Sequence, residues 1–231
     1  MNTNQKVSEK DKSSEKLKTT EKKLSNENLR LRVIYGLSGA VILVSSVCIN
    51  EWLYFGVFGL ICLFANLEFY GLLKEDKKKP NDVFGTVIGL IVYTLVFVIE
   101  KKILSDNYYL VLFPLCSFVF IYELYNNKKK PFNNVAFTLL GILYVSIPFS
   151  VMHLSALSNG EYRFQVVLGS LLLLWASDTG AYFVGKAMGR HKLFERVSPK
   201  KTWEGSVGGG VLSLGIAYVC FLLFGTLPLW Q

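Results

Sequence analysis

Long apolar runs separated by short polar segments make up the chain from residue 33 onward. A helix of about 20 residues crosses a hydrocarbon core of ~30 Å, and the runs approach or exceed that length. They lack the period-two alternation of membrane barrel strands, and backbone groups in lipid need partners within their own segment. The pattern therefore predicts an all-α polytopic membrane bundle of about seven transmembrane helices, over residues 33–49, 52–73, 83–99, 108–125, 135–154, 164–185 and 205–229.

Lysine and arginine fall mainly on one side of this layout. Of the 25 such residues, 22 lie in alternate segments, which are residues 1–32, 74–82, 126–134 and 186–204. The other side holds only Lys101, Lys102 and Arg163. Because these cations accumulate in cytoplasmic loops, the N-terminus is predicted to be cytoplasmic.

Composition separates the first 30 residues from the rest. Residues 1–30 are mainly Lys, Glu, Ser, Asn and Thr, too polar to offset the entropy of ordering, and are predicted to form a disordered basic and polar cytoplasmic tail. Residues 31–231 are predicted to form one transmembrane helical domain with a basic cytoplasmic loop at 186–204. Beyond residue 32 about 14% of the side chains are charged, against ~25% in a soluble domain, which excludes a soluble globule. A disulfide scaffold is also excluded, because the four cysteines are widely spaced within apolar runs.

Three carboxylates lie within the predicted spans. An ionisable group in a membrane is costly and marks a candidate functional site. Glu68, Glu123 and Asp178 each lie near the predicted cytoplasmic end of a span, so we expect them to line one polar cavity. Glu123 has the alternative of reaching the headgroup region, and Asp178 that of a structural hydrogen bond. Asp178, Tyr182 and Gly185 share one helical face by their spacing.

The basic loop ends in a candidate phosphate-binding corner. Ser198 followed by Pro199 is typical of a helix start, with Ser198 as the N-cap. Lys200 and Lys201 would then lie at the positive end of the helix dipole, which is unfavourable for cations. An anion bound there would make their position favourable. The Thr202 hydroxyl would complete the corner. The alternative is an ordinary cap followed by lysines that only determine topology.

This corner and Asp178 belong to the two ends of one short connection. A cationic phosphate site beside a carboxylate suits metal-assisted phosphoryl or nucleotidyl transfer. His191, in the same loop, either reaches a phosphate or is solvated. His153, at the other end of its span, is predicted to be interfacial. Small residues at four-residue spacing predict close helix packing in the last span, in the pairs Gly205 with Gly209 and Ser206 with Gly210.

Three adjacent motifs carry a family resemblance. They are SDTGAYFVGK at 177–186, GRHKL at 189–193 and VSPKKTWEG at 197–205. Together they resemble bacterial phosphatidate cytidylyltransferase, also called CDP-diacylglycerol synthase. The resemblance implies a multi-pass bacterial enzyme of the inner (plasma) membrane that joins CTP to phosphatidic acid, releases pyrophosphate and makes CDP-diacylglycerol for phospholipid synthesis. It also implies Mg²⁺.

Under this hypothesis Asp178, Lys200 and Lys201 are catalytic, and Asp178 helps to place the metal or orients a lysine. Glu204 positions the lysine pair. The residues expected to bind substrate are Ser198, Thr202, Glu204, Lys186, His191, Lys192 and Tyr182. The partners are CTP, phosphatidic acid and membrane lipids, with no nucleic acid, and a homodimer is left open.

The sequence departs from the family pattern in one respect. Family members carry a further C-terminal signature whose aspartates hold catalytic metals, and the sequence reaches Gln231 without it. We therefore expect a truncated form of a longer enzyme. Two alternatives stay open: a small transporter with an ion path through Glu68, Glu123 and Asp178, and an inactive family member that acts as a partner subunit.

Overall fold

The computed structural model describes Leu31, residues 33–125 and residues 130–225. The predicted N-terminal tail and the end of the last predicted span lie outside these residues. By compactness the chain divides into two units, Met1–Ser45 and Ser46–Gln231. The described part of the first unit is helical, and all the packing below lies within the second.

The described residues are almost entirely helical. The helices in chain order are α1 (Val33–Ile49), α2 (Glu51–Glu75), α3 (Asp82–Glu100), α4 (Leu112–Tyr125), α5 (Pro131–Gly141), α6 (Ile147–Ala156), α7 (Phe164–Met188) and α8 (Trp203–Phe224). A 3₁₀ turn at Asp106–Val111 precedes α4, and a π-helical turn at Ile142–Ser146 joins α5 to α6. Two short antiparallel hairpins pair β1 (Leu157–Ser158) with β2 (Glu161–Tyr162), and β3 (Lys192–Phe194) with β4 (Ser198–Thr202).

Six helical segments of the described chain are long and apolar enough to cross a membrane. They are Glu51–Glu75, Asp82–Glu100, Asp106–Tyr125, Pro131–Ala156, Phe164–Met188 and Trp203–Phe224. The helix Val33–Ile49 is apolar but shorter, so the predicted count of seven depends on it. Large apolar side chains point outward along the segments, as at Phe113 (82% exposed) and Leu214 (73% exposed). Such a surface suits lipid, and the predicted all-α multi-pass membrane fold is confirmed.

The core lies between α2, α3 and the α5–α6 segment, and it is partly polar. The buried face of α2 carries Asn66, whose Nδ2 donates to Ser146 Oγ at 3.0 Å. One turn further along α2, the Tyr70 hydroxyl donates to the backbone oxygen of Thr138 at 2.7 Å. Interhelical hydrogen bonds of this kind hold membrane helices together where lipid offers no hydrophobic driving force.

The π-helical turn at Ile142–Ser146 changes the register of its span. Thr138, Ser146 and Ser150 are all buried, whereas in a regular helix Ser146 and Ser150 would be turned by about 80° and 120° from Thr138. A π turn takes one extra residue, which absorbs the difference. Both halves of the span therefore face α2 and α3.

Helices α7 and α8 pack closely and antiparallel through glycines. A Cβ added to Gly209 would lie 2.7 Å from the Ser177 backbone oxygen, and one added to Gly205 would lie 2.8 Å from that of Ala181. The predicted packing role of Gly205 and Gly209 is thus confirmed. The prediction for Ser206 and Gly210 is wrong, because Gly210 has open space around it and Ser206 is exposed.

Candidate functional site

The last helix begins later than its sequence suggests. Ser198 and Pro199 do not start it, because Ser198–Thr202 is strand β4, which pairs with β3 in the register Lys192↔Thr202. The N-cap of α8 is Thr202, whose backbone is extended and whose Oγ1 accepts from the Gly205 N–H at 3.2 Å. The predicted cap at Ser198 is therefore wrong. Strand pairing occupies this backbone, and Thr202 is itself a good capping residue.

The lysine pair consequently lies on a strand and not in the first turn of a helix. Lys200 and Lys201 are exposed on β4. Alternation along a strand sends their side chains to opposite faces of the β3–β4 hairpin. Lys192 on β3 crosses to β4, where its Nζ donates to the Pro199 backbone oxygen at 2.7 Å. The exposed cations thus belong to a small hairpin that the ends of α7 and α8 support.

Glu204, in the first turn of α8, forms hydrogen bonds to the segment that follows α7. Its carboxylate accepts from the backbone N–H of Arg190 at 3.2 Å and from that of His191 at 3.2 and 3.3 Å. His191 Nδ1 lies 2.6 Å from Glu204 Oε1. The expectation that Glu204 positions the lysine pair stays a prediction; its hydrogen bonds within the described chain go to residues 190 and 191. It positions the hairpin as a whole.

Thr202 lies where the hairpin meets α7. Its side chain is buried, at 6% exposure, and a Cβ added to Gly189 would meet its Oγ1 at 2.8 Å. A Cβ added to Gly185 would lie 3.2 Å from the same oxygen. Thr202 therefore acts as a cap and a packing residue here. The expectation that its hydroxyl binds a phosphate does not fit this burial.

Asp178 lies on an exposed stripe of α7. Asp178, Tyr182 and Lys186 follow each other at four-residue spacing, and all three are exposed. Lys186 Nζ lies 5.8 Å from the centre of the Tyr182 ring, a cation–π contact. Gly185, which we expected on this face, packs instead toward Thr202 and Gly205. Asp178 is not the enclosed carboxylate of our sequence interpretation: in this chain it is open on the helix surface.

The structure brings the hairpin residues together but leaves Asp178 apart from them. Thr202 lies level with Gly185, and Gly185 is seven positions after Asp178 on the helix. At 1.5 Å per residue this is about 10 Å along α7. The lysines on β4 extend beyond that level. The expectation that the cationic corner lies directly beside Asp178 is therefore wrong for this chain.

The other two membrane acids do not join this region. Glu123 is buried, at 2% exposure, and accepts from Asn81 Nδ2 and Asn134 Nδ2, both at 2.6 Å. Glu68 is exposed on α2. The expectation that Glu68, Glu123 and Asp178 line one polar cavity is wrong for Glu123, because amides from α5 and from the turn before α3 satisfy its carboxylate and the cavity beside it is apolar. This removes the support for an ion path through the three acids.

His153 is the polar residue that our sequence interpretation placed least well. It is fully buried and not interfacial, with Nδ1 3.2 Å from the Tyr54 hydroxyl. The rings of Phe55, Tyr93 and Phe97 surround it. The sequence does contain a signal for the face of α2 that His153 contacts. The residues of that face repeat every four positions: Tyr54, Phe58, Cys62, Asn66 and Tyr70. Together these contacts give His153 a role in packing.

Among the described residues, no group of three or more His, Cys, Asp or Glu side chains is arranged to hold a metal ion. Mg²⁺ usually keeps several waters and binds through one or two carboxylates together with substrate phosphates. Asp178 is a carboxylate that is exposed and has no hydrogen bond to another described residue. It therefore fits one ligand of a magnesium–nucleotide complex.

Comparisons with known proteins identify the family of the chain. A family model described as "Cytidylyltransferase family" matches residues 30–231. Among curated proteins, a phosphatidate cytidylyltransferase of Staphylococcus saprophyticus is 35% identical over 116 residues, which cover 49% of this chain and 43% of that protein. One of Staphylococcus aureus is 33% identical over 168 residues (67% and 60%), and one of Bacillus subtilis is 25% identical over 206 residues (87% and 74%). The chain thus spans less than half of the first relative's length.

Proposed function

The chain belongs to the cytidylyltransferase family, and from this premise we propose that it acts as a phosphatidate cytidylyltransferase. The reaction transfers CMP from CTP to phosphatidic acid and gives CDP-diacylglycerol and pyrophosphate. The curated relatives carry this activity in their names. The observation that carries the proposal is the cationic β3–β4 hairpin, fastened to the end of two membrane helices, one of which bears Asp178.

The chemistry needs no covalent protein nucleophile. A phosphate oxygen of phosphatidic acid attacks the α-phosphorus of CTP, a new P–O bond forms, and the bond from the α-phosphorus to the bridging oxygen breaks, so that pyrophosphate leaves with that oxygen. Catalysis of such a step consists of positioning and of neutralising charge. A bound Mg²⁺ would supply charge neutralisation on the triphosphate, with Asp178 as one of its ligands.

The hairpin residues then take distinct roles. Lys200 and Lys201 are exposed and hold phosphate oxygens as cations, and Ser198 on the same strand is a further donor. Lys186, Lys192 and Tyr182 supply further contacts to substrate in this proposal. Glu204 and His191 act indirectly, by positioning the hairpin. The hydrogen bond between them holds the hairpin against α8.

The predicted orientation in the membrane suits the entry routes of the two substrates. Phosphatidic acid is a lipid and reaches the hairpin laterally from the inner leaflet of a bacterial plasma membrane, while CTP arrives from the cytoplasm. The hairpin side is the side predicted to be cytoplasmic from the distribution of lysine and arginine.

The test is product formation in a full-length protein that carries these residues. Asp178→Asn and the double variant Lys200→Ala/Lys201→Ala are expected to lower CDP-diacylglycerol formation about a hundredfold or more, the cost of removing a group that stabilises developing charge. Lys77→Ala, a cation of the loop between α2 and α3, is the control and should retain activity. Turnover that is unchanged in both site variants would contradict the assignment.

A further inference from the structure

A groove of about 720 Å³ runs along one side of the seam between α7 and α8. Its walls are apolar, with Phe183, Val184 and Met188 from α7 and Val207, Val211 and Leu212 from α8. We call it the α7/α8 groove. Glu204 is the charged residue in its lining, and it stands at the end beside the hairpin.

Glycines form part of the groove lining. Gly180 and Gly208 lie where the helices touch, since a Cβ on Gly180 would be 2.7 Å from the Gly208 backbone oxygen. Gly215, at the far end, has no atom within 4 Å of the place where its Cβ would be. Gly180 and Gly208 thus let the two helices approach closely, and Gly215 leaves the far end of the groove open.

The groove matches one leaflet of a bilayer in length. Its lining on α8 runs from Glu204 to Gly215, eleven residues on. At 1.5 Å per residue this is about 16 Å, roughly half of a ~30 Å hydrocarbon core. An extended acyl chain that starts at the headgroup level of one leaflet would end near Gly215.

The mouth of the groove suits an anionic headgroup. Trp203 lines it and is of the residue type found at membrane interfaces. Arg190 lies two residues from Met188, and Lys201 lies two residues from Trp203. The charge of Glu204 is already engaged by His191 and by the backbone N–H groups of residues 190 and 191. Two cations, Arg190 and Lys201, thus lie close in sequence to residues of the apolar entrance.

We propose that the α7/α8 groove holds one acyl chain of the phosphatidic acid substrate, with its phosphate among the hairpin cations. The proposal rests on the proposed function. Helical periodicity places Asp178 and Tyr182 on the opposite side of the α7–α8 seam from Phe183 and Val184. The lipid and the magnesium–nucleotide complex therefore reach the hairpin from opposite sides.

The test is photo-crosslinking. The purified protein in lipid nanodiscs receives phosphatidic acid with a diazirine in the middle of one acyl chain, and the labelled peptides are identified by mass spectrometry. Label is expected on residues 183–188 and 207–215. Gly215→Leu should fill the groove without a clash and lower that labelling about threefold or more, the effect of one lost packing interaction in a bilayer. Gly210→Leu adds the same bulk at an equally open position of α8 outside the groove and should leave labelling unchanged.

Two further arms separate this proposal from its alternatives. Phosphatidylcholine with the same photoreactive chain should label the groove less; equal labelling would overturn the selection for phosphatidic acid. Label spread evenly over all lipid-facing helices, or a groove covered by a second copy so that Gly215→Leu dissociates a dimer, would overturn the groove itself. Groove labelling by a full-length protein that makes no CDP-diacylglycerol would support the groove and contradict the proposed function. Product formation without groove labelling would support the proposed function and contradict the groove.

Discussion

His191 Nδ1 lies 2.6 Å from Glu204 Oε1, and the backbone N–H of the same histidine donates to the same carboxylate. One carboxylate on α8 therefore holds both the side chain and the backbone of the residue that begins the hairpin. Trp203 completes the contact, because its N–H donates to the His191 backbone oxygen at 3.0 Å. The cations of the hairpin depend on this joint for their position.

Glu204→Gln should weaken the contacts that hold His191 against α8. The variant keeps one acceptor oxygen but loses the charge that strengthens these hydrogen bonds. Hydrogen–deuterium exchange at the amides of Arg190 and His191 is expected to accelerate several-fold. Glu195→Gln, at the exposed turn of the hairpin, is the matched control and should exchange like the wild type. Equal protection in both variants would show that Glu204 does not hold the hairpin.

Gly209→Ala and Gly210→Ala form a matched pair on α8. The first places a methyl group 2.7 Å from the Ser177 backbone oxygen and should cost about 1–3 kcal/mol through forced separation of α7 and α8. The second places it in open space and should be neutral or gain up to ~1 kcal/mol from helix propensity. Unfolding in detergent micelles measures the difference. If the two variants are equally stable, the packing described here is wrong.

Glu123→Leu tests whether this buried acid is structural. It removes the acceptor of two 2.6 Å hydrogen bonds from Asn81 and Asn134 and should destabilise the protein by about 2–4 kcal/mol. Glu123→Gln retains one acceptor oxygen and should cost less. Glu68→Leu, at an exposed position, should change stability by less than about 0.5 kcal/mol. Equal stability of Glu123→Leu and Glu68→Leu in a thermal melt would argue against the network.

Thr202→Val removes the cap of α8 while keeping the shape of the side chain. The lost hydrogen bond to the Gly205 N–H should cost about 1 kcal/mol, and Thr202→Ser should retain it. Exchange of the Gly205 amide reports on the cap directly. The cap assignment fails if that amide is as protected in Thr202→Val as in the wild type.

The apolar runs predicted the helices well, because span length and hydropathy are local properties. The start of α8 was predicted wrongly, because Ser198 and Pro199 suit a helix start as well as a strand. What decides between them is the pairing with Lys192–Phe194, which only the folded chain reveals. Glu204 was identified from its motif, but its partners at residues 190 and 191 depend on how the hairpin turns back.

The polar residues of the core show the same limit. Glu123 and His153 lie near the ends of their spans, where a sequence suggests contact with headgroups. Their burial comes from neighbours on other helices, such as Asn134 for Glu123 and Tyr54 for His153. A hydropathy profile contains no information about such partners. For Asp178 the sequence located the residue, but not its exposure or its separation from the lysines.

The π-helical turn at Ile142–Ser146 makes the span from Pro131 to Ala156 sensitive to its residue count. If the same residues formed a regular helix through this turn, everything after it would be rotated by about 100°. Ser150 and His153 would then point toward the acyl chains, while Thr138 stayed in the core. The number of residues in this span is therefore set by how its two halves mesh with their neighbours, and not by the thickness of the bilayer that it crosses.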